Sequence, residues 1–255
     1  MDLPGKIALV TGANRGLGTA FVNALVARGA TVYAAARRPT ELDQIVANGG
    51  GKIIPLELDV TDPASISAAA DAASDVDFLV NNADRLEQLS LAEAGNVSAL
   101  RAEMDVNVFG LAQMSLEFAP VIAGNGGGAI VNMLSIASLL PFGPFGTYAA
   151  SKAAAMSLTH SMRWDFQKLG VDVIGIYAGF IDTGMIDNLA VEKSTPEAIV
   201  ENALSGIEAG KLDIATDEPS TIRCAQFQGH LDQALEELFE RADLFRTNFP
   251  ISGAD

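Results

Sequence analysis

The sequence predicts an α/β protein in which one parallel β-sheet carries helices on both faces, a three-layer, doubly wound arrangement forming a single domain over residues 1–255. Three observations lead there. Short β-prone segments alternate with longer helical ones, a glycine-rich turn separates the first strand from the first helix, and a chain of 255 residues that is 49% hydrophobic can bury one large core.

The predicted strands are Lys6 to Val10, Thr31 to Ala36, Lys52 to Leu58, Asp77 to Asn81, Ala129 to Met133 and Asp172 to Tyr177, each short, apolar and followed by turn or helix chemistry. After the first strand, Leu17, Phe21, Ala24 and Arg28 fall at helical spacing. Asp62 followed by Pro63 reads as an N-cap and first-turn proline for a helix reaching Ala73. The run Ala123 to Gly128 reads as a surface turn between a helix and a buried strand. Thr195, Pro196 and Glu197 start a helix to about Ala209, and Leu231, Leu235, Leu238, Phe239 and Phe245 mark an amphipathic helix near the end of the chain. There is no internal repeat and no low-complexity tract.

A formal net charge of −16 argues against nucleic acid and anionic lipid as partners, so any phosphate site must be a local basic exception. Apolar runs such as Ile7 to Val10 and Phe78 to Val80 fall far short of a bilayer span, and the first residues show no secretory leader. The single cysteine, Cys224, permits no intrachain disulfide, which fits a reducing, cytoplasmic setting. His160 and His230 are too few and too far apart to suggest a metal cluster, so the expected chemistry is metal-free.

The turn after the first strand reads Thr11, Gly12, Ala13, Asn14, Arg15, Gly16, Leu17, Gly18, with a helix beginning inside it. Glycines let backbone approach a pyrophosphate closely, and the helix start offers free N–H groups and partial positive charge, so the loop is a candidate dinucleotide site of the Rossmann type. At the end of the second strand, NAD-selective folds place an acidic residue to hold the ribose hydroxyls. Here no carboxylate lies between Thr31 and Glu41, and Arg37, Arg38 and Arg15 could bind a 2′-phosphate instead, which points to NADP(H).

Tyr148 and Lys152 are four residues apart, so on a helix they share a face. A nearby ammonium stabilises a phenolate, so Lys152 is expected to lower the pKa of Tyr148 from its free value and tune it as an acid/base. Ser135 ends a predicted strand thirteen residues earlier, with Ser138 as the alternative hydroxyl.

The glycine loop, Asn81-Asn82-Ala83, Asn107, Ser135 and Tyr148-Ala149-Ala150-Ser151-Lys152 together resemble the short-chain dehydrogenase/reductase family in its single-domain branch, over about Lys6 to Met185. The resemblance implies that Tyr148 exchanges a proton with the substrate oxygen, that Ser135 polarises the carbonyl, that Lys152 also anchors the nicotinamide ribose, and that Asn107 supports a water relay to the lysine. It further implies cofactor contacts from Asp59 and Val60 after the third strand, from Asn81, Asn82 and Ala83 after the fourth, and from Gly179, Ile181 and Thr183 after the sixth. The activity implied is hydride transfer between NADP(H) and a carbonyl or alcohol. A cofactor-binding sensor or scaffold without turnover is the alternative. The segments around Ser98 to Ala123 and Tyr148 to Leu169 resemble the family's subunit-packing helices, which implies a homodimer or homotetramer.

Three departures stand out. Asp84 occupies a position where the family usually has glycine, and an aspartate can take a left-handed turn there. Ala178 precedes Gly179 where proline is common, which leaves the next loop without proline's fixed φ. Asp213-Ile214-Ala215-Thr216 and a helical tail replace the usual end of the family's chains. From Met185 to Thr195, apolar Ile186, Leu189, Ala190 and Val191 either cover an apolar substrate or pack as core.

Overall fold

A computed structural model describes residues 2–87, 91–140, 145–187 and 190–227. Among them, seven strands form one sheet in which every pairing is parallel: β1 (Ile7–Thr11), β2 (Thr31–Ala36), β3 (Ile53–Glu57), β4 (Phe78–Asn81), β5 (Gly128–Met133), β6 (Val171–Tyr177) and β7 (Asp213–Ala215), in the order β3-β2-β1-β4-β5-β6-β7. The six anticipated strands are present with ends shifted by a residue or so. The seventh was not anticipated: three residues are too few to show a period, and β7 exists because it pairs with Gly175, Ile176 and Tyr177 of β6.

The helices are α1 (Gly16–Ala27), α2 (Asp43–Asn48), α3 (Pro63–Ala72), α4 (Leu91–Ala94), α5 (Ser98–Met104), α6 (Leu111–Gly124), α7 (Gly146–Gln167) and α8 (Pro196–Glu208). Asp62 accepts from the Ala64 N–H at the start of α3, and Thr195 accepts from the Ala198 N–H at the start of α8, so both caps lie where the sequence places them. The turn before β5 is closed by Gly126 and Gly127, both at positive φ. The amphipathic pattern from Leu231 to Phe245 lies outside the described residues.

Two apolar layers flank the sheet. On one face Phe21, Val22 and Leu25 of α1 meet Val200, Leu204 and Ile207 of α8 above Val10, Val32 and Val80. On the other, Ile66 of α3, Met114, Phe118 and Ile122 of α6 and Met162 and Phe166 of α7 cover Leu9, Leu79 and Ile130. Because β1 and β4 are buried on both faces, they read as unbroken apolar runs rather than alternating ones.

α5 and α6 are joined by a π-helical turn, Asp105–Gly110, into one helical stretch, Ser98–Gly124. By length and apolarity alone this stretch could cross a membrane, which an inspection of shorter runs overlooks. It carries a fully buried carboxylate, Glu103, contains Pro120 and lays Met114, Phe118 and Ile122 against the sheet, so one face of it belongs to the core, while Phe109 and Leu116 are exposed.

The edge strand β7 is tied to α7 by polar contacts. Arg163 donates to both Asp213 oxygens, at 2.9 and 2.8 Å, and Tyr177 donates its hydroxyl to Asp213 at 3.2 Å. Burial alone would raise the Asp213 carboxyl, but hydrogen bonds from His160 and Arg163 and the guanidinium charge hold it well below the usual carboxylate range. A depressed folded-state value means that this contribution is complete above the unfolded value of about 4 and is lost as pH falls below it. Asp213→Asn should therefore cost about 1 kcal/mol at neutral pH, partial exposure screening the pair, and should flatten the loss of stability between neutral and acidic solution in urea melts. An unchanged acid limb in the variant would remove this role.

Candidate active site

Parallel strands present their carboxyl ends along one edge, and where neighbouring strands send their crossovers to opposite faces a crevice opens. That reversal falls between β1 and β4. A groove of about 1370 Å³ runs along this edge, lined by Gly12, Asn14 to Gly18, Arg37, Arg38, Asp59, Val60, Asn82, Ala83, Ser135, Tyr148, Gly179, Ile181 and Thr183, among other residues.

The glycine loop is built without room for side chains. A Cβ on Gly18 would stand 2.2 Å from the Gly12 carbonyl oxygen and 2.7 Å from Asn82 Nδ2, and Gly12 itself has φ +64°. Loop and neighbouring turn are stitched together by Thr11, whose hydroxyl accepts the N–H groups of Asn82 and Ala83, both at 2.9 Å. The Asn82 amide donates to the Thr11 and Gly12 carbonyls at 2.9 and 3.3 Å. Arg15 sits at the N-cap of α1 and makes no side-chain cap, which leaves the first-turn N–H groups facing the groove as an anion site. Thr11 is a residue that sequence reasoning missed. Its signal is a hydroxyl at the end of a buried strand, one residue before the first glycine.

Arg37 and Arg38 leave β2 at the far end of the groove and are exposed. The expected freedom of this end from carboxylates needs correction. The short 3₁₀ turn Pro39–Leu42 folds Glu41 back, so that it takes an ion pair from Arg38 and a 2.7 Å hydrogen bond from Asn14 Nδ2. Glu41 lies ten residues beyond the start of β2, and the turn brings it to this end of the groove. Asp59 accepts from the N–H and hydroxyl of Thr61, at 2.9 and 2.7 Å, which shapes the turn after β3.

Tyr148 and Lys152 stand one turn apart on α7, the Lys152 ammonium 5.6 Å from the phenol ring centre. They do not touch directly, because Asp84 lies between their polar ends. The Tyr148 hydroxyl donates to Asp84 Oδ2 at 2.8 Å, and Lys152 Nζ lies 3.1 Å from Asp84 Oδ1 while donating to the Met133 carbonyl at 2.8 Å. The expected lowering of the tyrosine is therefore reversed. Burial pushes the phenol well above its ordinary range, the Asp84 charge and hydrogen bond push further, Glu103 adds to this, and a hydrogen bond with the Ser135 hydroxyl pulls the other way. Asp84 has no left-handed backbone, since every positive φ among the described residues belongs to glycine.

Ser135 faces the groove, its Oγ accepting from the Ala137 N–H, whereas Ser138 turns back to accept from the Ser135 N–H and does not line the groove. Two anticipated residues stand behind the wall. Asn81 is buried and donates to Asn132 and Ser115 at 2.9 and 3.2 Å, because its position in β4 points its side chain under α6. Asn107 sits in the π-helical turn and brackets Arg85, accepting its N–H at 2.8 Å and donating to its carbonyl at 2.9 Å, with a further bond to Ser151. It holds the turn that carries Asp84.

The missing proline before Gly179 is compensated from the chain's far end. Asp217 accepts the Gly179 N–H at 2.8 Å and is itself fixed by the Ser220 N–H at 2.8 Å. Of the four apolar residues expected near the groove mouth, Ile186 is buried and lines it, Ala190 and Val191 are exposed, and Leu189 lies outside the described residues.

A sequence profile of the family described as short chain dehydrogenase matches residues 6–194. The chain belongs to the short-chain dehydrogenases. This dehydrogenase is 37% identical over 187 residues to a sorbitol dehydrogenase of Cereibacter sphaeroides, an alignment covering 71% of this chain and 73% of that one. It is 32% identical to a 3-oxoacyl-[acyl-carrier-protein] reductase of Vibrio cholerae, over 83% of this chain and 86% of the relative. Its fold superposes on a Burkholderia cenocepacia short chain dehydrogenase solved in complex with NADP, with a TM-score of 0.84, 35% identity and coverage of 93% and 98% of the two chains. A Burkholderia phymatum relative solved with NAD gives a TM-score of 0.81 at 26% identity, covering 92% and 96%.

The glycine loop of this dehydrogenase yields a direct expectation. Gly18→Ala should destabilise the protein by about 1–3 kcal/mol, because its methyl group meets backbone on two sides. It should also weaken dinucleotide binding in calorimetric titration. A variant that melts and binds like the wild type would show that the loop has slack the packing does not reveal.

Proposed function

We propose that this short-chain dehydrogenase is an NADP(H)-dependent oxidoreductase that interconverts a small, largely apolar carbonyl compound and its alcohol. The observation that carries the reading is that Tyr148 and Ser135 line the same groove as the Gly12 to Gly18 loop, whose packing leaves no room for a Cβ at Gly18. A nicotinamide dinucleotide fits this groove in length and chemistry, and when bound it supplies or takes up the hydride. Gly12, Asn14, Arg15, Gly16, Leu17 and Gly18 would hold its phosphates, Asp59 and Val60 its adenine, and Asn82, Ala83, Gly179, Ile181 and Thr183 its nicotinamide half.

Arg38, Arg37 and Arg15 favour a cofactor bearing a 2′-phosphate, since guanidinium groups pair with phosphate oxygens in two-point contacts. Glu41 competes for Arg38, so binding would exchange an internal carboxylate for the phosphate. Tyr148 would donate its phenolic proton to the carbonyl oxygen in reduction and accept it back in oxidation. Ser135 would donate a hydrogen bond to the same oxygen, stabilising the charge that develops there. Ile186 lends the groove an apolar wall for the substrate. The homodimer or homotetramer, and a cytoplasmic setting, belong to the same proposal.

A cofactor-binding protein without turnover remains the second reading, and Asp84 is the observation that favours it, because both acid/base groups are already engaged with its carboxylate.

The two readings separate by following nicotinamide absorbance over a panel of ketones and secondary alcohols. Turnover should fall by about 10²–10⁴-fold in Tyr148→Phe while the dissociation constant for NADP(H) stays within a few-fold. Tight cofactor binding with no turnover of any panel member by the wild type would favour the second reading. In the same titrations Glu41→Gln should tighten NADP(H) about tenfold and leave NAD(H) nearly unchanged, the size expected for freeing one guanidinium to pair with phosphate. Equal effects on both cofactors would place Glu41 outside the 2′-phosphate contact.

A further inference from the structure

Asp84 is the first residue beyond the Asn81-Asn82-Ala83 turn, and its side chain is only 17% exposed. Its carboxylate does not lean on the neighbouring arginine. Arg85 turns away to Glu87, with Nε donating to Oε1 at 2.9 Å. The turn is held from behind by Asn107, which brackets the Arg85 backbone, and the Arg85 N–H returns to Asp84 Oδ1 at 3.0 Å. The carboxylate is thus aimed rather than loosely placed, and the two groups it meets, at 2.8 and 3.1 Å, are the two that the proposed reaction needs.

Resting on the acid/base reading of Tyr148 given above, we infer that Asp84 is a positioning residue. One of its oxygens accepts a hydrogen bond from the Tyr148 hydroxyl and the other pairs with the Lys152 ammonium, so that the tyrosine is kept as an acid and phenolate-dependent chemistry is confined to alkaline solution. The groups facing the phenol come from four elements: Asp84 from the turn after β4, Glu103 from α5, Ser135 from the end of β5 and Lys152 from α7. Two carboxylates stand against one ammonium, and that ammonium is already matched to Asp84. Glu103 is itself pushed up by burial, its Oε1 accepting the Glu87 N–H at 2.8 Å, so Asp84 is the nearer anion and the only one of the two in contact with the phenolic oxygen. Without the Asp84 carboxylate, Glu103 alone would oppose the lysine charge at the tyrosine.

The consequence is directional with respect to pH. Carbonyl reduction draws on the protonated phenol, which Asp84 preserves. Alcohol oxidation draws on the phenolate, and its population falls tenfold for each pH unit by which ionisation is deferred.

The test uses the cofactor-free protein, so it stands apart from turnover. The chain has three tyrosines, and subtracting the near-ultraviolet tyrosinate titration of Tyr148→Phe isolates Tyr148, with circular dichroism marking the folded pH range. In Asp84→Asn the Tyr148 midpoint should fall by about 1–3 pH units from wild type, the span a contacting charge produces. Asp84→Gly, which places the family's usual residue at the turn, should show the same fall and serves if the amide variant does not fold. In steady state, the rising limb of kcat/KM for oxidation, which follows ionisation of the phenol, should move toward neutrality by the same interval, while reduction at neutral pH changes only a few-fold. Superimposable Tyr148 titrations for wild type and the Asp84 variants would overturn the inference. Because those titrations need no substrate, that failure is distinct from a failure of the oxidoreductase reading, which the Tyr148→Phe turnover measurement decides alone.

Discussion

The reversal of strand order between β1 and β4 is the constraint from which the site follows. Parallel strands aim their carboxyl ends the same way, and crossovers leaving to opposite faces part at this one place. What keeps the parting narrow is the Thr11 hydroxyl, which receives two backbone N–H groups from the turn after β4, together with the Asn82 amide that returns two bonds to the glycine loop. Each buried bond of this kind contributes about 1 kcal/mol net, but breaking one partner leaves a buried donor unmet and costs more. These bonds hold the glycine loop and the turn after β4 together at the groove.

The other half of the groove is assembled by a longer chain of dependencies. α7 carries Tyr148 and Lys152, but what they meet is decided by Asp84, whose turn is held by Asn107 from the π-helical segment between α5 and α6. Such turns are rare and frequently mark functional positions. Here one extra residue in the helical turn points an amide at the loop beneath. Similarly, Gly179 is held by Asp217 from beyond β7, so the cofactor edge relies on a part of the chain outside the matched family region.

The charge pattern of the molecule fits this division. A chain of net charge −16 keeps its basic groups at the β2 end of the groove partly engaged by Glu41, and places a carboxylate between Tyr148 and Lys152. In both places an internal anion occupies a cation that the proposed chemistry uses, so binding and turnover would each involve an exchange of partners rather than the filling of a bare site.

Much of this was legible in the linear chain. The alternation of strand and helix, the caps Asp62 and Thr195, the glycine loop and the spacing of Tyr148 and Lys152 are local properties, set by steric and hydrogen-bonding rules that act within a few residues. The strand β7 and the roles of Glu41, Asp84 and Asp217 were not legible, because each depends on contacts with residues far off in sequence: 27 residues from Glu41 to Asn14, 64 from Asp84 to Tyr148 and 38 from Asp217 to Gly179. The sequence marked Asp84 as a departure at a turn, and separately marked Tyr148 and Lys152 as a pair. Only the tertiary structure decided that it would lie between them and reverse the expected tuning of the tyrosine, since electrostatic tuning depends on distance in space, which sequence order does not carry.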